Sequence, residues 1–343
     1  MADPTFLAWA VVVAAAAWIA LAAWIIGDRL FHDRQAARTA DDARALARGE
    51  LDPRRSSWRR LSRVADGPYG GSSTIAAREL VRRNEWRLVS AASKPGFART
   101  HALRELVRGG SVRAFALMRA ARAAGESDVI AATIAIAGGT DTTESNRFLL
   151  DVLVAGDIPR SRTADQLVPR VPRIVPELLA LAGNQKAPVR YWAVMLLGWA
   201  PPTAEVRAVG VEASADPDEQ VRAAAARLLG SCREPLVRLV LRALLADEVF
   251  FVRAHAARAI AESRAHSLAP DVAGLLADRN WWVRAAAKEA LLGLGKEGLD
   301  AAAAMLHSED NFARDGAREV LAAAMMSDSG EDVAAQLREQ AVG

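Results

Sequence analysis

A short pattern returns five times between residues 187 and 326. Aligned on Val189-Arg190, Val221-Arg222, Val252-Arg253, Val283-Arg284 and Ala313-Arg314, its copies lie 32, 31, 31 and 30 residues apart. A period of this size marks a stacked repeat, in which each unit buries an apolar face against its neighbours. Four residues after each leading Val or Ala stands an alanine: Ala193, Ala225, Ala256, Ala287 and Ala317. Seven and eight residues after it stand apolar pairs, from Leu196-Leu197 through Leu228-Leu229, Ala259-Ile260 and Ala290-Leu291 to Val320-Leu321. Offsets of 0, 4, 7 and 8 share one face of a helix. A second apolar segment precedes each copy, for example Leu236 to Leu245 and Leu268 to Leu276. Each unit therefore reads as two antiparallel helices that approach closely over the central alanine.

The segments DPDEQVRAAAARLLG, DEVFFVRAHAARAIAE and DRNWWVRAAAKEALLGLG, which begin at Asp216, Asp247 and Asp278, resemble the short bacterial HEAT repeats called PBS-lyase-like. They share an Asp in the turn and a Val-Arg pair opening the second helix. The resemblance is specific over residues 203–294, good over 172–326, and fades upstream. There Ala98-Arg99 keeps Ala102 and Leu106, Val129 opens an apolar helix without the Arg, and Pro159-Arg160 leads to Leu167. Counting these as three degenerate units, the expectation is an all-α chain: a HEAT-like α-solenoid of about eight helical hairpins over residues 84–326, preceded by one transmembrane helix. Pro169 to Pro176 marks the passage into the regular repeats.

The expected membrane helix is Phe6 to Ile26, 21 residues without a charge. As a helix it is about 31 Å long, enough to cross a bilayer. A cleaved signal peptide is the competing reading. No basic residue precedes the run, and Gly27-Asp28-Arg29 offers no small-x-small cleavage site, so a retained anchor over residues 1–27 is expected. Trp9 and Trp24 stand near the two ends, as interfacial aromatics do, whereas Trp18 does not. Charge placement sets the orientation. Residues 28–63 carry ten Arg against six acidic residues, while the chain as a whole is only +3. The positive-inside rule then places the bulk of the chain in the cytoplasm, on the inner (cytoplasmic) membrane of a bacterium as a single-pass protein. The Ala- and Arg-rich composition also suggests a bacterial source.

Residues 28–83 read as an Arg-rich juxtamembrane connector. Gly49 to Pro53 breaks its first helix, and Arg54, Arg55, Trp58, Arg59, Arg60 and Arg63 form a candidate patch for anionic lipid, or equally a solvated basic linker. A hinge is expected at Asp66 to Gly71, with Ser72 or Ser73 capping a helix to Arg83. Residues 327–343, polar and then apolar at helical spacing, read as a C-terminal cap or tail.

Chemistry is sparse. Asp216, Asp247, Asp278 and Asp310 precede Arg222, Arg253, Arg284 and Arg314 in the turns, and with Arg190 these residues read as a structural ladder rather than an anion groove. The histidines His32, His101, His255, His266 and His307 are dispersed, and no His-Glu pair recurs as iron-binding HEAT hydroxylases require, so no metal or other cofactor is expected. Cys232 has no local His or acid and reads as a filler between repeats. No Gly-rich phosphate loop or nucleophile elbow is present, and no enzyme activity is expected. The near-neutral repeat region argues against nucleic acid. Similarity to bilin lyases leaves open a lyase or chaperone-like modifier of a partner protein, which requires an acid, a His or Cys232 to converge. The remaining feature is aromatic: Phe250-Phe251, Trp281-Trp282 and Phe312 open three consecutive second helices. Adjacent helical residues point about 100° apart, so one member of each doublet is expected to face a partner. The sequence reading is thus a membrane-anchored protein-protein interaction scaffold. Its partner is expected to be another, membrane-associated protein, with envelope or polysaccharide-synthesis systems as the suggested setting.

Overall fold

The computed structural model describes residues 4–125 and 127–342. It describes their side chains apart from those of residues 4–17, 19, 20, 22, 23, 97, 127, 128 and 327–342. Among the described residues every regular element is helical. The chain forms two compact units, one through Phe148 and one from Leu149, with the boundary inside α7 (Thr143–Ala155).

In the first unit α1 (Pro4–Ala47) is followed by α2 (Trp58–Asp66), α3 (Gly71–Ala92), α4 (Phe97–Arg108), α5 (Ala114–Ala123) and α6 (Ser127–Gly138). Most of Phe6 to Ile26 lies outside the residues with described side chains. Among the described residues no helix is long and apolar enough to cross a membrane. The break expected near Gly49 is present: α1 ends at Ala47 and Gly49 takes φ 73°, a left-handed conformation that glycine adopts without strain. Beyond it the structure departs from a linker. Ala43 and Leu46 of α1, Leu61, Val64 and Ala65 of α2, and Ala76 and Ala77 of α3 form a small core of their own.

The expected hinge between α2 and α3 is a bonded turn. The Ser73 hydroxyl receives the Tyr69 N–H at 3.1 Å and lies 2.7 Å from the Gly67 carbonyl, while Ser72 donates to the Ala43 carbonyl at 2.7 Å. Nor does an element boundary fall at Asn84, because α3 runs unbroken to Ala92. Buried Glu79 fixes this helix by taking Arg82 at 2.7 Å and Arg83 at 2.9 Å. Arg83 also donates to the carbonyls of Pro53, Arg54 and Ser56. The Arg82 hydrogen bond leads the effects that lower the Glu79 pKa to about 2, against the opposing effect of burial. Helices α3 and α4 pair, as do α5 and α6, with α4 against α6 and α3 against α5. This is a two-layer arrangement of hairpins.

The second unit continues with α8 (Arg160–Leu167), α9 (Val171–Ala182), α10 (Ala187–Leu197), α11 (Ala204–Ala213), α12 (Glu219–Leu229), α13 (Pro235–Leu244), α14 (Phe250–Glu262), α15 (Ala269–Gly274), α16 (Trp281–Gly293), α17 (Lys296–Ala304) and α18 (Asn311–Val342). The proline-rich passage forms a 3₁₀ turn over Val168–Arg170 and then α9, whose helical geometry lapses at Ile174, two residues before Pro176. From α9 onward the helices pair in sequence, and the second helices α10, α12, α14, α16 and α18 contact one another in order. The five central alanines, Ala193, Ala225, Ala256, Ala287 and Ala317, are all fully buried, as the repeat register predicts. The expected cap at 327–343 has its side chains outside the described ones; its backbone is helical through Val342.

Close approach between layers is sharpest at Gly298 of α17, where a Cβ would lie 2.0 Å from the Leu291 carbonyl oxygen of α16. Gly298→Ala is therefore expected to push α17 off α16 and lower the melting temperature by several degrees, on the order of 2 kcal/mol. Gly274→Ala, whose Cβ meets nothing within 4 Å, should leave the melting temperature nearly unchanged and serves as the control.

Candidate functional site: a charge ladder and an aromatic ledge

The turn that joins the two helices of a repeat carries both features. Arg190 binds Asp216 of the following repeat through two hydrogen bonds of 2.7 Å, one from Nε and one from Nη2. Arg222 holds Asp247 in the same way at 2.8 and 3.0 Å, and Arg253 holds Asp278 at 2.7 and 2.9 Å. The third guanidinium atom, Nη1, points back into its own turn. Arg222 donates from it to the carbonyls of Asp216 and Pro217, Arg253 to Asp247 and Glu248, and Arg284 to Asp278 and Arg279. Each carboxylate also accepts the N–H two residues on, Asp218, Val249 or Asn280, at 2.8–2.9 Å. The pairs are nearly sealed from water: the side chains of Arg253 and Asp278 are 9% and 8% exposed.

The ladder differs from the expected one at its end. Asp216, Asp247 and Asp278 each stand six residues before the arginine of their own repeat, but Asp310 stands four before Arg314. The sixth position there is Ser308. Asp310 accordingly acts as a helix cap, receiving the Ala313 N–H at 2.9 Å, and Arg314 binds the Ser308 carbonyl. Left without a carboxylate, Arg284 lies over the Phe312 ring, 4.2 Å from its centroid. Counting six rather than accepting any acidic residue in the turn finds this from sequence.

The aromatic residues separate by depth. Phe251 packs on the main core of the unit and Phe250 on Ala254, Val283 and Ala286, so both members of the first doublet are half-buried, against expectation. Their rings meet edge-on at 5.5 Å, which two adjacent helical residues achieve by facing different repeats. The second doublet stays open, with Trp281 70% and Trp282 40% exposed, and Phe312 is 58% exposed. The ring contact between repeats joins Phe250 and Trp282 at 5.8 Å, not Phe251 and Trp282. In the first unit Arg54, Arg55, Trp58, Arg59 and Arg63 are exposed on one short segment, whereas Arg60 is turned to Asp42 of α1.

Two further groups carry weight. His255 is half-buried between Arg227 and Arg258, and burial followed by those two charges lowers its pKa to about 4. Cys232 is buried, and burial raises its thiol pKa, so it stays protonated. Among the described residues no three His, Cys, Asp or Glu side chains are placed to hold a metal ion.

Residues 206–292 match the family model for HEAT repeats. That span covers α11 to α16, the most regular hairpins. No curated protein matches the chain. Among solved structures it is similar to an engineered protein (17% identity over 77% of this chain and 83% of that one, TM-score 0.37). It is also similar to YibA of Escherichia coli (16%, 78% and 93%, TM-score 0.36) and to human deoxyhypusine hydroxylase in complex with glycerol (19%, 75% and 100%, TM-score 0.30). Superpositions this loose relate no individual residues.

The ladder and His255 together set a pH response. Burial raises and the arginine hydrogen bonds lower the carboxyl pKa values of Asp216, Asp247 and Asp278, with a net shift downward. A depressed carboxyl stabilises the fold above its ordinary pKa, and that stability is lost as pH falls through the depressed value. His255 resists protonation in the fold, so its contribution is complete above about pH 6.5 and is lost between there and about pH 4, amounting to about 3 kcal/mol. Thermal melts should show His255→Ala flattening the decline between pH 6.5 and 4. Asp247→Asn should cost about 3 kcal/mol at neutral pH by stranding Arg222, and an Arg222→Met, Asp247→Leu double variant should recover most of that loss.

Proposed function

We propose that this chain is a membrane-anchored HEAT-repeat adaptor that binds another membrane-associated protein along the aromatic edge of its second unit. HEAT repeats suit protein recognition because stacked hairpins offer an extended surface with one side chain per repeat at each register position. The observation that carries the reading is the exposure of Trp281, Trp282 and Phe312 on consecutive repeats, at the rung where Arg284 lies on the Phe312 ring instead of on a carboxylate. Aromatics held by a rigid frame supply the anchors of protein interfaces. A membrane-bound envelope or polysaccharide-synthesis assembly is the partner class this layout suggests.

The membrane attachment rests on residues 6–26 and their surroundings. The backbone is one helix from Pro4 to Ala47, and Trp18, Leu21, Trp24, Ile25 and Ile26 are all exposed. Apolar side chains pointing outward on several faces of one helix suit lipid better than water. Five arginines between Arg29 and Arg48 favour a cytoplasmic location for the repeats.

Trp281→Ala and Trp282→Ala together are expected to weaken co-purification of a partner from detergent-solubilised membranes by about tenfold or more. The melting temperature of Trp281→Ala alone should move little, because Trp281 is mostly exposed, and the double variant should fall further only by what the Phe250–Trp282 ring contact supplies. A sharp loss of stability with unchanged co-purification would make the edge a packing feature and sink the reading. Removing residues 1–27 should release the chain from carbonate-washed membranes. A cut at residue 63 would remove Leu46 and Leu61 from a folded core and is not a clean test.

A further inference from the structure

At the opposite end of the hairpins, where one repeat passes to the next, the chain leaves α14 through Ser263 and then Arg264 with φ 53°, the single left-handed residue other than glycine among those described. The same place in the following repeat, 31 residues on, is Gly295 at φ 65°. Glycine fits this helix ending without strain and arginine does not, so the turn geometry alone does not account for Arg264. Strain held at one site with a charged side chain points to a use for that side chain.

The Arg264 side chain lines a cleft of about 440 Å³ with Arg233, Arg238, His266, Ser263 and Ser267. Neither Arg233 nor Arg264 forms an ion pair among the described residues. The nearby acids are engaged elsewhere: Glu234 with Arg207 at 3.1 Å, Asp271 with Arg242 at 2.7 Å, and Glu297 with His266 at 3.3 Å. Glu262 lies against Gly230 of the preceding turn. The cleft therefore holds three guanidinium groups and one acid-paired imidazole, a surplus of positive charge matched by an anion with several acceptor oxygens. Through Arg238 and Ser267 it continues into a second cleft of about 610 Å³ whose apolar wall is Pro235, Leu239, Leu268 and Pro270 and whose polar wall is Arg242 paired with Asp271. Beside it on α13, Leu236 and Leu239 are exposed while Val237 and Leu241 fill the core.

We propose that this paired cleft binds an anionic phospholipid, its phosphate held by Arg233, Arg238 and Arg264 and its apolar part lying along Leu239 and Pro270. A cationic end continuous with a cleft that has one wall of Leu239, Leu268 and two prolines, beside an Arg242–Asp271 pair that already neutralises itself, fits an amphiphile better than a free anion, which would leave the exposed Leu239 uncovered. Choosing a lipid rests in part on the membrane attachment proposed above, which keeps the second unit close to phospholipid.

The test places the full chain in nanodiscs of phosphatidylcholine alone or with one quarter phosphatidylglycerol, and reads amide hydrogen exchange over 231–243 and 263–272. Phosphatidylglycerol is expected to slow exchange in these two segments by about tenfold, while the ladder turns at 247–249 and 278–280 stay unchanged. Arg264→Gly should abolish the difference with the melting temperature equal or raised, since glycine relieves the left-handed strain. Equal exchange in both discs, or an Arg264→Gly variant that keeps the difference, overturns the proposal. Protection by millimolar inorganic phosphate in phosphatidylcholine discs, equal to that from phosphatidylglycerol, assigns the site to a free phosphate and overturns it too. Co-elution with the discs reports the anchor separately. A chain that fails to co-elute is compared with vesicles of the same two compositions, where the same exchange difference decides the cleft alone.

Discussion

The regular part of this protein depends on one arginine per repeat serving two turns at once. A guanidinium is a rigid plane, so when Nη1 holds the carbonyls of its own turn while Nε and Nη2 grip the next Asp, the spacing and tilt of adjacent repeats are tied to one geometry. Apolar packing alone would constrain them less. The second helices are rich in buried alanine, Ala224, Ala254 and Ala286 besides the central Ala225, Ala256 and Ala287, and small, similar side chains fix the offset between helices only weakly. Burial supplies the driving force for stacking, and the ladder supplies direction. Because each buried charge is met by several partners, the pairs specify register even where their net contribution to stability is small.

The aromatic edge follows from the same device. Where the ladder is complete, Arg222 and Arg253 are held in place by carboxylates, leaving the first helical positions of the turn free of polar duties. Where Ser308 replaces the carboxylate, Arg284 settles on Phe312 instead. The most exposed aromatics thus stand beside the rung where ion pairing gives way to a cation over a ring. A serine in one turn changes both the charge pattern and the face that the last repeats present.

Much of this was legible in the sequence, and the failures share a cause. The period and the buried alanines follow from spacing, because spacing decides which face a residue occupies; that each Arg takes the Asp of the next repeat rather than its own is seen only in the structure. Asp310 shares the residue type of the ladder carboxylates but not their offset, and four and six residues before the arginine are different places in the turn. Spacing predicts that one member of each doublet faces outward, because one neighbour cannot bury two adjacent side chains. The structure instead gives each phenylalanine a different neighbour, Phe251 the core below and Phe250 the repeat beyond. The folding of the connector is less legible still. Its burial depends on Leu46, Leu61 and Ala76, which lie on three helices and show no common period.

That folded connector changes what an anchor can do. A flexible linker raises local concentration and leaves orientation free. Here α1 continues without a break from the apolar run to Ala47, and its last turns are fixed by Ala43 and Leu46 in the core, by the Ser72 hydrogen bond to the Ala43 carbonyl, and by Arg60 on Asp42. A tilt imposed on the apolar end of such a helix is resisted where its last turns are tied to α2 and α3, at Asp42, Ala43 and Leu46. Arg54, Arg55, Trp58, Arg59 and Arg63 are exposed on the segment that packs against those turns through Leu61 and Val64. In the first unit, attachment to lipid would set pose as well as proximity.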